Sequence, residues 1–464
     1  MSDLRSIEAD LERSLHRLEP RTKFAEALAQ AETGQEVRFE RKTTGVTREA
    51  HLRGAVIRAW GGSRWIEAAT SSLDARSLEA ATSSLERSLT KSGAGSAPPG
   101  ESSTLRKEWT DRPARPGRDL SSEEMIAFSR DVFRWATAVT GVQNAQTGVG
   151  WSEEERFYLN TAGARCYGVL NRMRGGCAPI AIENGRAEND YAFFGSLGGQ
   201  ELMGYLNERR VTETARSAVD LLHATGAPAG EIPVILDPST SGTFAHESFG
   251  HGTEADQFVR NRSYLRPILG QTVGPESLTI IDQGSYPGGW GSVLFDDEGQ
   301  PGQRTVLVDR GTFVGALHDR ETAAALHAHP TGNARRSDFL SRLFVRMTNT
   351  YVEPGDWTLD ELVKEAKHGI LLEHATSGIE DPQGGQMQLK VNRGRLVENG
   401  ELGKVVPSVA LSGKVLEFLQ RIRGISHRAD FEMSPGYCGK GHSDLIPAGT
   451  GGTYLLSTAV VGPA

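Results

Sequence analysis

Apolar residues recur at helical spacing at Leu4, Ile7, Leu11, Leu15 and Leu18, and Pro20 ends the run. Such a stripe faces a core or an interface. A second helix is expected from roughly Lys23 to Ala31, stopping at Gly34. EVRFER and GAVIRAWGGSRWIEAAT then switch to strand character, the latter a hairpin turning at Gly61-Gly62. SSEEMIAFSRDVFRWATAVT opens with a Ser-x-x-Glu capping box, Ser121 to Glu124, and predicts an amphipathic helix. ERFYLNTAGARCYGVLNRMRG predicts a hairpin through Asn160 and Gly163, and a helix follows from about Gln200 to Ala224. Beyond Asp256 the pattern is one of short strands and glycine turns, broken by helices near Leu359–His368 and Val415–Arg423.

These elements predict an α+β protein. Residues 1–229 are expected to form an amino-terminal, α/β sandwich-like domain on an antiparallel sheet, and residues 230–464 a β-rich domain. From Ser92 to Gly117 the composition collapses to Gly, Ala, Ser, Pro and Arg, which predicts an exposed loop or hinge interrupting the first domain. The heptapeptide EAATSSL occurs at Glu67 and again at Glu79. Two copies are too few for a solenoid and point to a local duplication.

IPVILDP is a β-branched and aliphatic run that reads as a buried strand entering a helix. HESFGHGTEAD, His246 to Asp256, follows it. Its histidines are five apart rather than the four of H-E-x-x-H, and five residues of ideal helix separate two side chains by roughly 140°. A π-bulge would bring them back onto one face, eased by Gly250, with Glu247 beside them as a general base. The competing reading is a plain i, i+4 surface pair between Glu247 and His251. Far downstream, Cys438 sits among Gly436, Gly439 and Gly441 in a glycine-rich turn. A thiolate and two imidazoles make a three-ligand zinc set that leaves a fourth position open.

At these two motifs the chain resembles the TldD/PmbA family of metallopeptidases, whose active members carry H-E-x-x-x-H and a late cysteine in a C-G-K turn. DDEGQPGQRTVLVDRG (Asp296 to Gly311), PTGNARR (Pro330 to Arg336) and RMTNTYVEPGD (Arg346 to Asp356) also resemble it, in the family's order, over most of residues 230–455. The resemblance implies that His246, His251 and Cys438 bind Zn2+, that Glu247 activates water, and that the metal-binding helix lies in the carboxy-terminal domain. The PmbA-like (TldE) branch typically lacks H-E-x-x-x-H, so the motif places the chain with the TldD-like branch. The turn departs from the usual pattern in reading C-G-K-G-H-S; His442 is then a fourth ligand, a donor to a ligand, or a bystander.

The resemblance further implies a zinc-dependent peptidase acting on short or unfolded peptides, such as propeptide, leader or antitoxin-like substrates bound in extended conformation. It implies a dimer, with a PmbA/TldE-like partner subunit or as a homodimer. The rival classes are a non-catalytic TldE-like scaffold and a metal-dependent amidase of a biosynthetic pathway, because fold and metal do not dictate substrate.

Composition is compatible with this. A chain of 464 residues, 38% hydrophobic and with 54 glycines, is long enough for sizeable cores. No apolar run approaches the roughly 20 residues of a membrane span, and the first residues lack the apolar segment of a secretory signal. Three widely spaced cysteines suit a reducing cytoplasm, and a charge of −8 argues against nucleic acid as partner.

Other features carry less. Cys166 and Cys177 read as structural. His327 and His329 form an H-x-H read as surface. Glu254 and Asp256 either are solvated or hold a histidine by its other nitrogen. Asp296, Asp297 and Glu298 suggest calcium, but no EF-hand loop surrounds them. Arg335 and Arg336 either pair with a substrate carboxylate or are solvated.

Overall fold

A computed structural model describes residues 3–92, 98–110, 112–224, 226–440 and 443–464. It confirms the α+β class. The first helix, α1 (Glu8–Leu18), buries Leu11, Leu15 and Leu18 on one face. Strands β1 (Ala25–Glu40), β2 (Thr43–Trp60) and β3 (Trp65–Thr70) form an antiparallel meander, and α2 (Ala75–Ser92) covers it. Next come β4 (Arg106–Trp109) and α3 (Ser122–Thr137), which has the expected capping box at Ser121 and Glu124. The long hairpin β5 (Val142–Asn160) and β6 (Arg165–Glu183) follows, then β7 (Arg186–Asn189), β8 (Ala192–Leu197) and α4 (Glu208–Leu222). The sheet order is β3-β2-β1-β5-β6-β4, with β7 and β8 also on β6.

Residues Lys23 to Ala31 are not a helix: from Ala25 they are the start of β1. The segment is alanine-rich and locally tolerates helix, but it lies between β2 and β5 and is buried on both faces. Ala25, Ala27, Ala29 and Ala31 pack toward α1 and α2, whereas Leu28 faces Tyr158 and Phe295. Its alanines alternate with Glu26, Leu28 and Gln30, but alanine favours helix, and the polar residues on the other face are buried rather than solvent-facing. Gly34 does not stop a helix; the register of β1 against β2 shifts between Glu32 and Gly34.

The described part of the Ser92–Gly117 stretch is not a free loop. β4 pairs parallel with β6, and the buried Ser103 hydroxyl donates to the Gly299 carbonyl at 2.7 Å. The single helix expected over Gln200–Ala224 is a 3-10 turn, Gln200–Tyr205, followed by α4, whose N-terminus is capped by Asn207.

The rest of the chain builds two further large sheets. In order come β9 (Gly230–Leu236), α5 (Pro238–Thr243), α6 (Ala255–Val259), β10 (Ile280–Gln283), β11 (Arg304–Asp309), β12 (Thr312–Phe313) and α7 (Arg320–Ala325). Then come β13 (Ala334–Arg335), β14 (Phe344–Val345), β15 (Asn349–Val352), α8 (Leu359–Ala366), β16 (Gly369–Glu380), β17 (Gln386–Glu398) and β18 (Glu401–Lys414). Last are α9 (Val415–Gln420), β19 (Gly424–Ile425), β20 (Glu432–Lys440), β21 (Ser443–Gly452) and β22 (Leu455–Pro463). One sheet has the order β12-β11-β10-β15-β21-β20. In the other, β18-β17-β16-β9-β22 closes on itself because β18 also pairs β22. The largest core fills the space between these sheets, and Cys438 belongs to it.

Candidate metal centre

β9 delivers the chain to the site. Val234, Ile235 and Leu236 are fully buried, and Asp237 caps α5 by accepting the Thr240 N–H at 2.7 Å, with Pro238 in the first turn. After Thr243 the winding widens into a π-helix over Phe244–Gly250, and the His251 N–H donates to the His246 carbonyl. That five-residue closure is the widening the histidine spacing required. The two imidazole centroids stand 5.3 Å apart with their planes at 82°. Gly250 serves close packing: a Cβ there would collide with the Met347 sulfur.

Cys438 lies within β20 rather than in a turn, paired opposite Ile446, with a register irregularity between it and Lys440. Arg346 donates to its carbonyl. Its Sγ is 3.6 Å from His251 Nε2, and donor atoms of His246, His251 and Cys438 all fall within 4.8 Å of one another. The chain thus gathers the three expected residues from elements almost two hundred positions apart. His246 is 2% exposed, and its Nδ1 is buried without a hydrogen-bond partner. Glu247 Oε2 does lie 3.6 Å from His251 Nε2, but inside this cluster rather than on an open surface.

Burial pushes the Cys438 thiol up, and the His251 and His246 imidazoles more than reverse it, bringing it down to about 5. Burial likewise opposes the charge on Glu247, yet the two imidazoles hold its carboxyl below the ordinary value. It is a carboxylate at neutral pH, in the wall of a cavity of about 1020 Å³ that also reaches His374, Arg393 and Tyr454. Gly378 on β16 gives Glu247 its room, since a Cβ there would come within 2.7 Å of its Cβ and Cγ.

Glu254 and Asp256 are not solvated. Glu254 is 1% exposed and holds His251 Nδ1 at 3.3 Å. Burial raises its carboxyl, but Lys440 and His251 bring it down to about 2. Lys440, which pairs with both acids, carries no sequence signal beyond its place in the C-G-K string, two residues after Cys438. The pairing of His374 with Asp190 left no trace in the sequence, because the two are 184 positions apart.

The remaining candidates lie elsewhere. Asp296 accepts the N–H groups of Glu298, Gln300 and Ala334, and Glu298 pairs with Arg58 and Arg320, so these acids are structural. Arg335 donates to the Met347 and Pro447 carbonyls, and Arg336 to Ser341 and Glu67; both are buried and neither lines the cavity. Cys166 and Cys177 are wholly buried. The side chain of His329 is largely exposed beside Glu101, and His327 joins no cluster of metal-ligating groups among the described residues. His442 lies outside the described residues.

Known proteins resemble this chain in sequence and in fold. Residues 115–225 match the model of the PmbA/TldA metallopeptidase central domain, and residues 229–460 that of its C-terminal domain. A metalloprotease of Methanocaldococcus jannaschii is 37% identical over 66% of this chain and 67% of its own length. One from Methanothermobacter thermautotrophicus is 33% identical over 76% of each chain. A zinc metalloprotease TldD homolog of Saccharolobus solfataricus is 34% identical over 66% of each. Among solved structures, a Thermotoga maritima protein described as a modulator of a DNA gyrase superposes with a TM-score of 0.79 at 20% identity, covering 98% of this chain and 100% of that one. TldE from Thermococcus kodakarensis superposes at 0.76 with 17% identity and the same coverage. The two domain models together take in most of the sequence, including every residue of the histidine–cysteine cluster, and the chain belongs to the PmbA/TldD family of metallopeptidases.

Proposed function

We propose that this chain is a zinc-dependent peptidase of the TldD type, with His246, His251 and Cys438 as ligands and Glu247 as general base. The observation that carries the reading is the convergence of two imidazoles and a depressed thiol beside an ionised carboxylate in a cavity wall. A thiolate with two imidazoles, one of them with an unpartnered buried nitrogen, is a donor set that fits zinc. Bound there, zinc supplies a Lewis-acid charge that acidifies water and polarises a peptide carbonyl. Glu247 takes the proton from the attacking water as its oxygen bonds to the carbonyl carbon. It returns that proton to the amine nitrogen as the C–N bond breaks. Glu254 keeps the His251 ring oriented through Nδ1, so that Nε2 faces Cys438.

The substrate is proposed to be a short or unfolded peptide in extended form. β16 supports this: β9 pairs with it only at Ile370, Leu371 and Leu372, so its later residues have no strand on that side among the described ones. Association with a TldE-like subunit or a second copy belongs to the proposal, as do a reducing, cytoplasmic setting for the three free thiols and a boundary near residue 229 between two domains. No described helix is long and apolar enough to cross a membrane.

Two substitutions test the reading. Cys438→Ser should lose most of about one zinc per chain, because a hydroxyl is a poor replacement for a thiolate. Glu247→Gln should keep the zinc while peptide hydrolysis falls by ~10²–10⁴-fold. Metal content unchanged in the first variant, or activity within a few-fold of wild type in the second, would refute the assignment.

A further inference from the structure

The far end of the cleft holds a second constellation. Asp190 is fully buried, and its Oδ1 lies 2.6 Å from His374 Nδ1. Asn392 donates to the same oxygen at 3.1 Å, and Arg393 lies 3.2 Å from the other. The His374 N–H is separately held by Asp237 at 2.9 Å. These contacts keep His374 in a left-handed conformation, φ 61°, on a strand. For a non-glycine residue that backbone is strained, and such strain collects at functional sites.

Asp190 occupies Nδ1, and no hydrogen bond occupies Nε2 among the described residues; the ring lines the cavity. Burial works against charge on this ring, and Asp190 and Asp237 more than offset it, so the His374 pKa is raised. On the facing helix α4, Arg210 lines the same cavity, stacked 3.7 Å over Tyr205, with no carboxylate at ion-pair distance among the described residues. Glu432 lies near both cations, and its own carboxyl is pushed up by burial, toward a neutral form that donates a hydrogen bond.

We propose that His374 and Arg210 form a subsite for the carboxy-terminal carboxylate of the peptide substrate. The inference rests on the peptidase reading and adds a register to it. β16 passes Glu247 at Gly378, four residues beyond His374, which is at most about 13 Å at ~3.3 Å per residue, since the left-handed His374 and the register shift between Ala375 and Ser377 shorten the path. An extended peptide anchored at His374 therefore presents to Glu247 a bond about four residues from its carboxy terminus.

The experiment compares one amino-terminally labelled octapeptide as free acid and as carboxy-terminal amide, bound to the zinc-loaded Glu247→Gln protein. The free acid should bind at least tenfold more tightly. His374→Gly, which removes the imidazole and suits the left-handed backbone, should abolish that preference when added to Glu247→Gln. Equal binding of acid and amide, or a preference that survives His374→Gly, overturns the subsite. This arm measures binding alone, so it decides even if the chain hydrolyses nothing. In the protein with Glu247 intact, lengthening the peptide at its amino end should leave the cut about four residues from the carboxylate. A cut that moves with the amino end overturns the register.

Discussion

Lys440 Nζ sits 2.9 Å from Glu254 Oε2, the same oxygen that holds His251 Nδ1. The lysine also donates to Asp256 at 2.7 Å and to the Val345 carbonyl at 2.9 Å, and its side chain is only 10% exposed. One strand therefore brings both Cys438, a proposed ligand, and the cation that pairs with the carboxylate holding His251, a second proposed ligand. Lys440→Met should weaken zinc binding by about 10–100-fold, the usual effect of losing a group that orients a ligand. Competition with a chelator measures it, and an unchanged affinity would confine the lysine to packing.

Gly378 packs directly against Glu247, and an added methyl would meet both Glu247 and the Leu389 side chain at 2.7 Å. Gly378→Ala is expected to displace the carboxylate without touching the histidines or the cysteine. Zinc content should stay at the wild-type level while kcat falls by at least tenfold, since small misplacements of a catalytic group are costly. Loss of zinc together with activity would mean that the whole π-turn had shifted.

Arg320 joins the first sheet to the later part of the chain. It is 1% exposed, donates to Glu26 at 2.8 Å and to Glu298 at 3.3 Å, and lies over the rings of Phe24 and Trp65. Arg320→Met leaves two buried carboxylates with Arg58 as their remaining cation. Removal of one partner from a buried pair typically costs about 3–5 kcal/mol. Denaturant unfolding should show a loss of that order, and adding Glu298→Gln should recover part of it by removing an uncompensated charge.

His318 is buried, its Nδ1 has no partner, and burial lowers its pKa to about 4 from an ordinary 6.5. The unfolded chain therefore binds a proton at this residue below pH 6.5 that the folded chain refuses until about pH 4. Stability from the neutral ring is fully present above pH 6.5 and is lost as pH falls toward 4. The wild type should lose stability between pH 7.5 and 4.5 more steeply than His318→Gln, by up to about 3 kcal/mol. Parallel slopes in denaturant melts at the two pH values would contradict this.

Much of the site was legible because its chemistry constrains local geometry. Two histidines five residues apart can share an ion only if the helix widens, and a π-turn is what lies over Phe244–Gly250. The capping box at Ser121 and the hairpin through Asn160 and Gly163 were equally readable, since each is settled by neighbouring residues. The backbone around Cys438 was not legible, because its neighbours predict a turn. Its glycines suggested one, whereas pairing with β21 makes the segment a strand.

What only the tertiary structure decided is clearest where the sequence repeats itself. In its first copy, EAATSSL begins in β3 at Glu67; in its second it lies wholly inside α2 at Glu79. The seven residues are identical, so intrinsic propensity cannot separate them. The first copy pairs Glu67, Ala68, Ala69 and Thr70 with β2, and the second places Ala81 and Leu85 in the core between α2 and the sheet. The alanine-rich start of β1 was decided the same way, by burial between two strands. The sequence by itself determined where the apolar residues, caps and candidate metal ligands stand along the chain. Long-range pairing decided which backbone they adopt and which distant partners they meet, because differences in local propensity are small beside the free energy of burying a face.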